Sequence, residues 1–288
     1  MGRLLAVAAA AALFIASHGA QADERQVLES LKFQSGTIAL GDNLANLTLT
    51  PNFQYLSPAD TKRFLVEIWR NPPKAAEGTL GAIVPANVDL LGGEGWAIII
   101  TYDDSGHVSD DDAAGINYDD LLKDMQKSTR DSNEERKKEG YEPIELVGWA
   151  KPPYYDSEAK KLYWAKRLKF GTDADDTLNY SIRALGRTGV LELTVVASMQ
   201  QLALVDGRIN EVLGMVAFNP GSTYAEFSPG VDKAAEYGIA GLIAGGILAK
   251  AGFFKFLIAL WKPIALGVVV LLGAGGGLLR KLFRRGEA

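Results

Sequence analysis

The chain has 288 residues, 48% of them hydrophobic and 23% charged, with no cysteine and two histidines, His18 and His107. This composition excludes a wholly disordered or fibrous protein, and the absence of cysteine excludes disulfides, thiolate metal sites, iron–sulfur clusters and a cysteine nucleophile. The formal net charge of -5 is unevenly spread: residues 250–288 carry seven basic residues against Glu287, while residues 23–249 carry 22 basic and 34 acidic ones. An acidic body repels a phosphate backbone, so nucleic acid is not an expected partner.

Arg3 precedes an apolar run from Leu4 to Ile15, and Ala20-Gln21-Ala22 follows it as a small-x-small cleavage pattern. These features predict a secretory signal over residues 1–22, with the mature chain starting at Asp23. Export suits a chain without cysteine, because nothing can mispair in an oxidising compartment.

Residues 23–236 read as an extracytoplasmic α+β domain, with 23–140 and 141–236 as potential halves. Thr37–Leu40 and Leu44–Thr50 alternate as strands around Gly41-Asp42-Asn43. Ser57-Pro58-Ala59-Asp60 opens a helix that Asn71-Pro72-Pro73 stops, and Gly95–Thr101 is a buried strand. A helix from about Asp119 presents Leu121, Leu122 and Met125 inward, and its second half is nearly all polar. The aromatic and proline residues Trp149, Pro152, Pro153, Tyr154 and Tyr155 suit a peptide or glycan surface, and their ordinary reading is a long loop packed on the core.

Leu162–Phe170, Thr177–Leu185 and Val190–Ala197 alternate at period two, and Ser198-Met-Gln-Gln201 is a capping box opening a helix. That helix places Leu202, Val205, Ile209, Val212 and Val216 on one stripe. Three consecutive strands followed by a helix predict an antiparallel sheet with packed helices, an α+β fold, rather than βαβ units. Gly95-Trp96-Ala97 with Tyr102-Asp103 is echoed 53 residues later by Gly148-Trp149-Ala150 with Tyr155-Asp156. A duplicated β-rich unit would produce this echo.

Two constellations carry chemistry. Asp103, Asp104, His107, Asp110, Asp111 and Asp112 lie within ten residues. Carboxylates and an imidazole so close suit a hard divalent cation, the one cofactor this sequence suggests. The ordinary reading is a hairpin turn at Asp-Ser-Gly with solvated acids around it. The second constellation is the polar face of the later strands. There Asn179, Arg183 and Glu192 form a potential ligand-binding surface, the guanidinium being suited to an acidic group. Its ordinary reading is the solvent face of a one-sided sheet. No Gly-x-Ser-x-Gly elbow, P-loop or dinucleotide fingerprint is present.

From Tyr237 onward the chain is almost uncharged. Residues 237–256 read as a small-residue-rich interfacial or helix-packing segment, and 257–279 as a transmembrane helix about 34 Å long. Arg280, Lys281, Arg284 and Arg285 follow as a basic cytoplasmic tail over 280–288, placing the main domain outside. A rival topology is a helical hairpin, with 237–260 entering and 264–279 leaving the bilayer. Gly241-x-x-x-Gly245 and Gly273-x-Gly275-Gly276-Gly277 permit close helix approach. The expected partners are therefore the lipid bilayer and either a membrane protein or a second copy of the chain.

Gly148-Trp-Ala-Lys-Pro-Pro-Tyr-Tyr-Asp156, Leu162-Tyr-Trp-Ala-Lys166, Leu178-Asn-Tyr-Ser-Ile-Arg183 and Leu185-Gly-Arg-Thr-Gly-Val-Leu191 resemble one family. Asn133-x-x-Arg136-x-x-x-Gly140-Tyr141 and the stretch from Tyr224 to Gly238 do so too. It is the bacterial "predicted membrane-anchored protein" family, domain of unknown function 2167. The resemblance implies an envelope protein with a C-terminal anchor in the cytoplasmic membrane and implies no reaction. The sequence thus points to a non-enzymatic binding or interaction module. The alternative is a metal-assisted or carboxylate-based hydrolase of envelope material using Asp103–Asp112.

Overall fold

The computed structural model describes residues 24–69, 71, 73–92, 95–138, 142–171 and 176–245. The signal over 1–22, the segment from 246 to 256, the span over 257–279 and the tail over 280–288 lie outside them. Among the described residues, no helix is long and apolar enough to cross a membrane. The described residues divide into two units, one built from 24–31 with Asp60–Glu77, the other from Lys32–Ala59 with 78–245.

In the first unit a helix spans 24–30 (α1). A second, α2 (Pro58–Arg63), begins at the boundary and runs into a π-helical turn, Phe64–Ile68. Arg63 fastens the two by donating from Nη2 to Ser30 Oγ at 2.9 Å. The wider turn shows in Trp69 N bonding Phe64 O at 3.0 Å, and the Phe64 and Trp69 rings pack 4.7 Å apart. The predicted helix therefore ends as expected before the Asn-Pro-Pro stretch, where proline removes the next donors.

The second unit is an eight-stranded antiparallel sheet with a smaller three-stranded one. Its strands are β1 (Phe33–Gln34), β2 (Thr37–Leu40), β3 (Ala45–Thr48), β4 (Phe53–Leu56), β5 (Thr79–Pro85), β6 (Ala97–Asp103), β7 (Ile144–Asp156), β8 (Lys161–Phe170), β9 (Thr177–Leu185), β10 (Val190–Ser198) and β11 (Val216–Phe218). The helices are α3 (Tyr118–Lys138), α4 (Leu202–Asp206), α5 (Ile209–Met215) and α6 (Ile239–Ala244). The large sheet runs β1-β4-β5-β6-β10-β9-β8-β7 and the small one β11-β3-β2. The α+β expectation, with an antiparallel sheet and packed helices, is what the chain forms.

Alternation assigns the two faces. Ile98 and Ile100, Tyr180 and Ile182, and Leu191, Leu193 and Val195 point to one side. They pack with Leu40 and Leu47 of the small sheet and with Val205, Ile209 and Val212 of α4 and α5. On the other side Leu162, Trp164, Leu185 and Val190 pack with Met125 of α3 and with Ile239, Leu242 and Ile243 of α6. Each fully buried aliphatic among these contributes about 1.5–3 kcal/mol of transfer free energy before entropy is subtracted.

Four sequence expectations change. The polar face of β9 and β10 is not open to solvent: every residue of β9 is buried, because the small sheet with α4 and α5 covers one face and α3 with α6 the other. The aromatic-proline stretch is no loop but part of β7, the edge strand. An edge leaves one row of N–H groups unneeded by the ladder, so Pro152 and Pro153 are tolerated, and the register with β8 shifts around them. The stripe from Leu202 to Val216 divides into α4 and α5, and Val216 opens β11. Trp96 is buried in one core beside the central strand β6, whereas Trp149 lies on the edge strand and donates from Nε1 to Tyr118 O at 3.3 Å. These unlike environments remove the case for a duplicated unit.

Candidate ligand-binding site

Hydrogen-bond register brings the consecutive strands β8, β9 and β10 and the sequence-distant β6 into one polar stretch on the face that α3 and α6 share. Lys166 stands opposite Asn179, Trp164 opposite Ser181, and Leu162 opposite Arg183. Ser181 in turn faces Thr194 and Arg183 faces Glu192, which faces Thr101 of β6. Asn179, Arg183 and Glu192, singled out in the sequence, are thus brought together, and all three are buried, Arg183 at 3% exposure.

Arg183 and Glu192 form an ion pair, Nε lying 2.9 Å from Oε1, with the N–H not aimed at that oxygen. Arg183 Nη1 donates to Ile182 O at 2.9 Å, and its guanidinium lies 5.3 Å from the centre of the Trp164 ring. Thr101 Oγ1 donates to Glu192 Oε2 at 3.2 Å. Removing one partner of such a buried pair costs about 3–5 kcal/mol, because the other charge is left unpaired.

Lys166 is the residue sequence reasoning missed. It is partly exposed by surface area, yet its ammonium is desolvated enough that burial, with Arg183 adding repulsion and Glu192 opposing, pulls its pKa down to about 8. Among the described residues it makes no hydrogen bond or ion pair. The signal was present: Leu162, Trp164, Leu168 and Phe170 occupy the apolar phase of β8, and Lys166 is the one charged residue in that phase. Around it, Asn179 Oδ1, Thr177 Oγ1 and Trp164 Nε1 are buried without a hydrogen-bond partner among the described residues. Natural proteins leave few such atoms, and several on one stretch point to an unfilled binding capacity.

The acidic constellation does something else. Among the described residues no group of three or more His, Asp or Glu is placed to hold a metal ion. Asp103 accepts from Ser105 and, at 2.7 Å, from Tyr237 Oη, while Asp104 is exposed. Asp110 accepts from Tyr155 Oη at 2.7 Å, Lys160 Nζ at 2.8 Å and Tyr224 Oη at 3.0 Å. Burial opposes its ionisation, but those donors outweigh it and hold its pKa at about 2. Asp111 accepts from Ser109, and Asp112 accepts from Ile239 N and Ala240 N at 2.9 and 3.0 Å, capping α6.

His107 stacks on Phe227 with centroids 3.9 Å apart, and its backbone pairs with Lys233 and Ala235. The loop from Asp103 to Asp112 is therefore a clasp on the segment from Tyr224 to α6, made by Asp103, Asp110 and Asp112 through different contacts.

The solution structure of cyanobacterial PsbP (CyanoP) from Synechocystis sp. PCC 6803 aligns over 66% of this chain and 93% of its own, with 10% identity and a TM-score of 0.34. None of the curated proteins compared with the chain matches it. The family profile described as "Protein of unknown function (DUF2167)" matches residues 32–273, and the chain belongs to that family.

Proposed function

We propose that the protein is a membrane-anchored module of the cell envelope, with its acidic α+β domain on the extracytoplasmic side, and that it binds a ligand rather than catalysing a reaction. The observation that carries the binding reading is the incompletely satisfied polar stretch of buried Asn179, Ser181, Arg183 and Glu192 with partly exposed Lys166 beside them. The anchor rests on the apolar run and the basic flank Arg280, Lys281, Arg284 and Arg285. One structural fact favours the single span over the hairpin: Ile239, Leu242 and Ile243, which would begin an inbound helix, are spent on the domain's own core.

The test is co-purification. Full-length chain isolated from native membranes in mild detergent is expected to carry a bound molecule or partner that Asn179→Leu lacks, with both proteins melting alike. A wild-type protein recovered with nothing bound, or a variant that keeps its cargo, would refute the reading.

A further inference from the structure

We propose that the polar stretch is a site for a carboxylate group, with Lys166 as its counter-ion and Arg183 and Trp164 as flanking donors. The inference rests on the binding reading above and adds the ligand's class. Its first support is charge: Lys166 and Arg183 face one carboxylate, Glu192, and Lys166, though partly exposed, is desolvated enough to lower its pKa to about 8. A partly desolvated cation without a carboxylate of its own is stabilised by one added negative charge. A carboxylate balances it, whereas a phosphate dianion leaves a charge over.

Its second support is hydrogen-bonding capacity. Among the described residues Trp164 Nε1 is a buried donor without an acceptor and Lys166 Nζ makes no hydrogen bond, while Arg183 Nε, 2.9 Å from Glu192 Oε1, is poorly aligned with it. They lie on neighbouring strands of one face, Trp164 and Lys166 two residues apart on β8, and Arg183 diagonal to Trp164 on β9. Asn179 stands opposite Lys166 and Ser181 lies between it and Arg183 along β9, where the rest of the ligand would meet polar atoms of both kinds. Arg183 alone is a poor receptor, since Glu192 and Ile182 O already occupy it. Lys166 is the group left to answer a charge.

The experiment is thermal denaturation of the full-length chain in detergent, titrated with acetate, benzoate and inorganic phosphate, chloride holding ionic strength constant. A carboxylate at tenfold excess over its Kd should raise Tm by about 3–5 °C. The rise should vanish in Lys166→Met and persist in Lys166→Arg, which keeps the charge. Lys166→Met removes an unpartnered ammonium while keeping the volume, so it should fold at least as stably as the parent.

No response to either carboxylate, a response that survives Lys166→Met, or an equal response to phosphate would overturn the assignment. A neutral cargo lost in Asn179→Leu, with no carboxylate response, would overturn the ligand class and leave the binding reading standing. Absence of both cargo and response would end the two together.

Discussion

Asp110 is the centre of the clasp, and its removal tests whether the acidic loop is structural. Three donors converge on this carboxylate and hold its pKa at about 2, against an ordinary 3.8. At 1.36 kcal/mol per unit, that difference corresponds to roughly 2 kcal/mol of folding stability at neutral pH. Its side chain is 21% exposed and that of Lys160 31%, so solvent screens only part of the interaction. Asp110→Asn keeps the shape and one acceptor but removes the charge, and we expect a loss of about 1–2 kcal/mol, or about 3–6 °C in Tm.

The sign with pH follows from the lowered pKa. The contribution is present above the unfolded value and disappears as pH falls from about 4 to about 2, so the gap between wild type and variant should close over that window. Hydrogen exchange on the full-length chain supplies the local readout. The amides of Ala235, Ile239 and Ala240, bonded to His107 O and Asp112, should exchange faster in the variant. Unchanged exchange there, or a stability gap that ignores pH, would show that the loop does not hold the segment.

Lys166 predicts the opposite limb of the pH profile. Its lowered pKa means that anion-free protein gains stability from about pH 8 towards pH 10, where the unfolded chain keeps a proton the folded one has lost. Above that range Tyr155, Tyr180, Tyr224 and Tyr237, all raised by burial and by neighbouring carboxylates, cost stability as the unfolded phenols ionise. Lys166→Met should flatten the rise, leaving what Lys161 contributes, and a chemical-denaturation series over this range reads it.

Gly81 has φ +125° and a Cβ there would enter the Tyr55 ring, so Gly81→Ala should lose at least about 2 kcal/mol by urea denaturation. Ile243→Asp places a charge in a fully buried position of α6 and should release that helix to proteolysis. Because the chain lacks cysteine, Val231→Cys, at a position 78% exposed, gives a single thiol; an impermeant maleimide should label it in intact spheroplasts. Labelling only after lysis would contradict the extracytoplasmic placement.

Much of the second half of the fold was legible because β8, β9 and β10 combine period-two alternation with tight turns, and the boundaries of β9 match the structure residue for residue. What failed, failed for tertiary reasons. Alternation says which residues share a face but not whether that face is wet, and only the docking of α3 and α6 on one side of the sheet decides that. Pro152 and Pro153 read as loop because a lone sequence cannot reveal that β7 lies at an edge. The carboxylates of Asp103–Asp112 looked like a ligand set because their partners, Tyr155, Tyr224, Tyr237 and the start of α6, lie 45 to 134 residues away. Lys166 was readable as a break in the apolar phase of its strand, and the missing partner that makes it notable is visible only in the fold.

A crystal structure of the full-length protein, purified from native membranes without added carboxylate or phosphate, would examine the polar stretch itself. We expect density for a bound anion within about 3 Å of Lys166 Nζ and beside Arg183, at hydrogen-bonding distance. An ordered water network alone, or a side chain of the protein filling the place between Lys166 and Arg183, would contradict the binding site proposed for this family member.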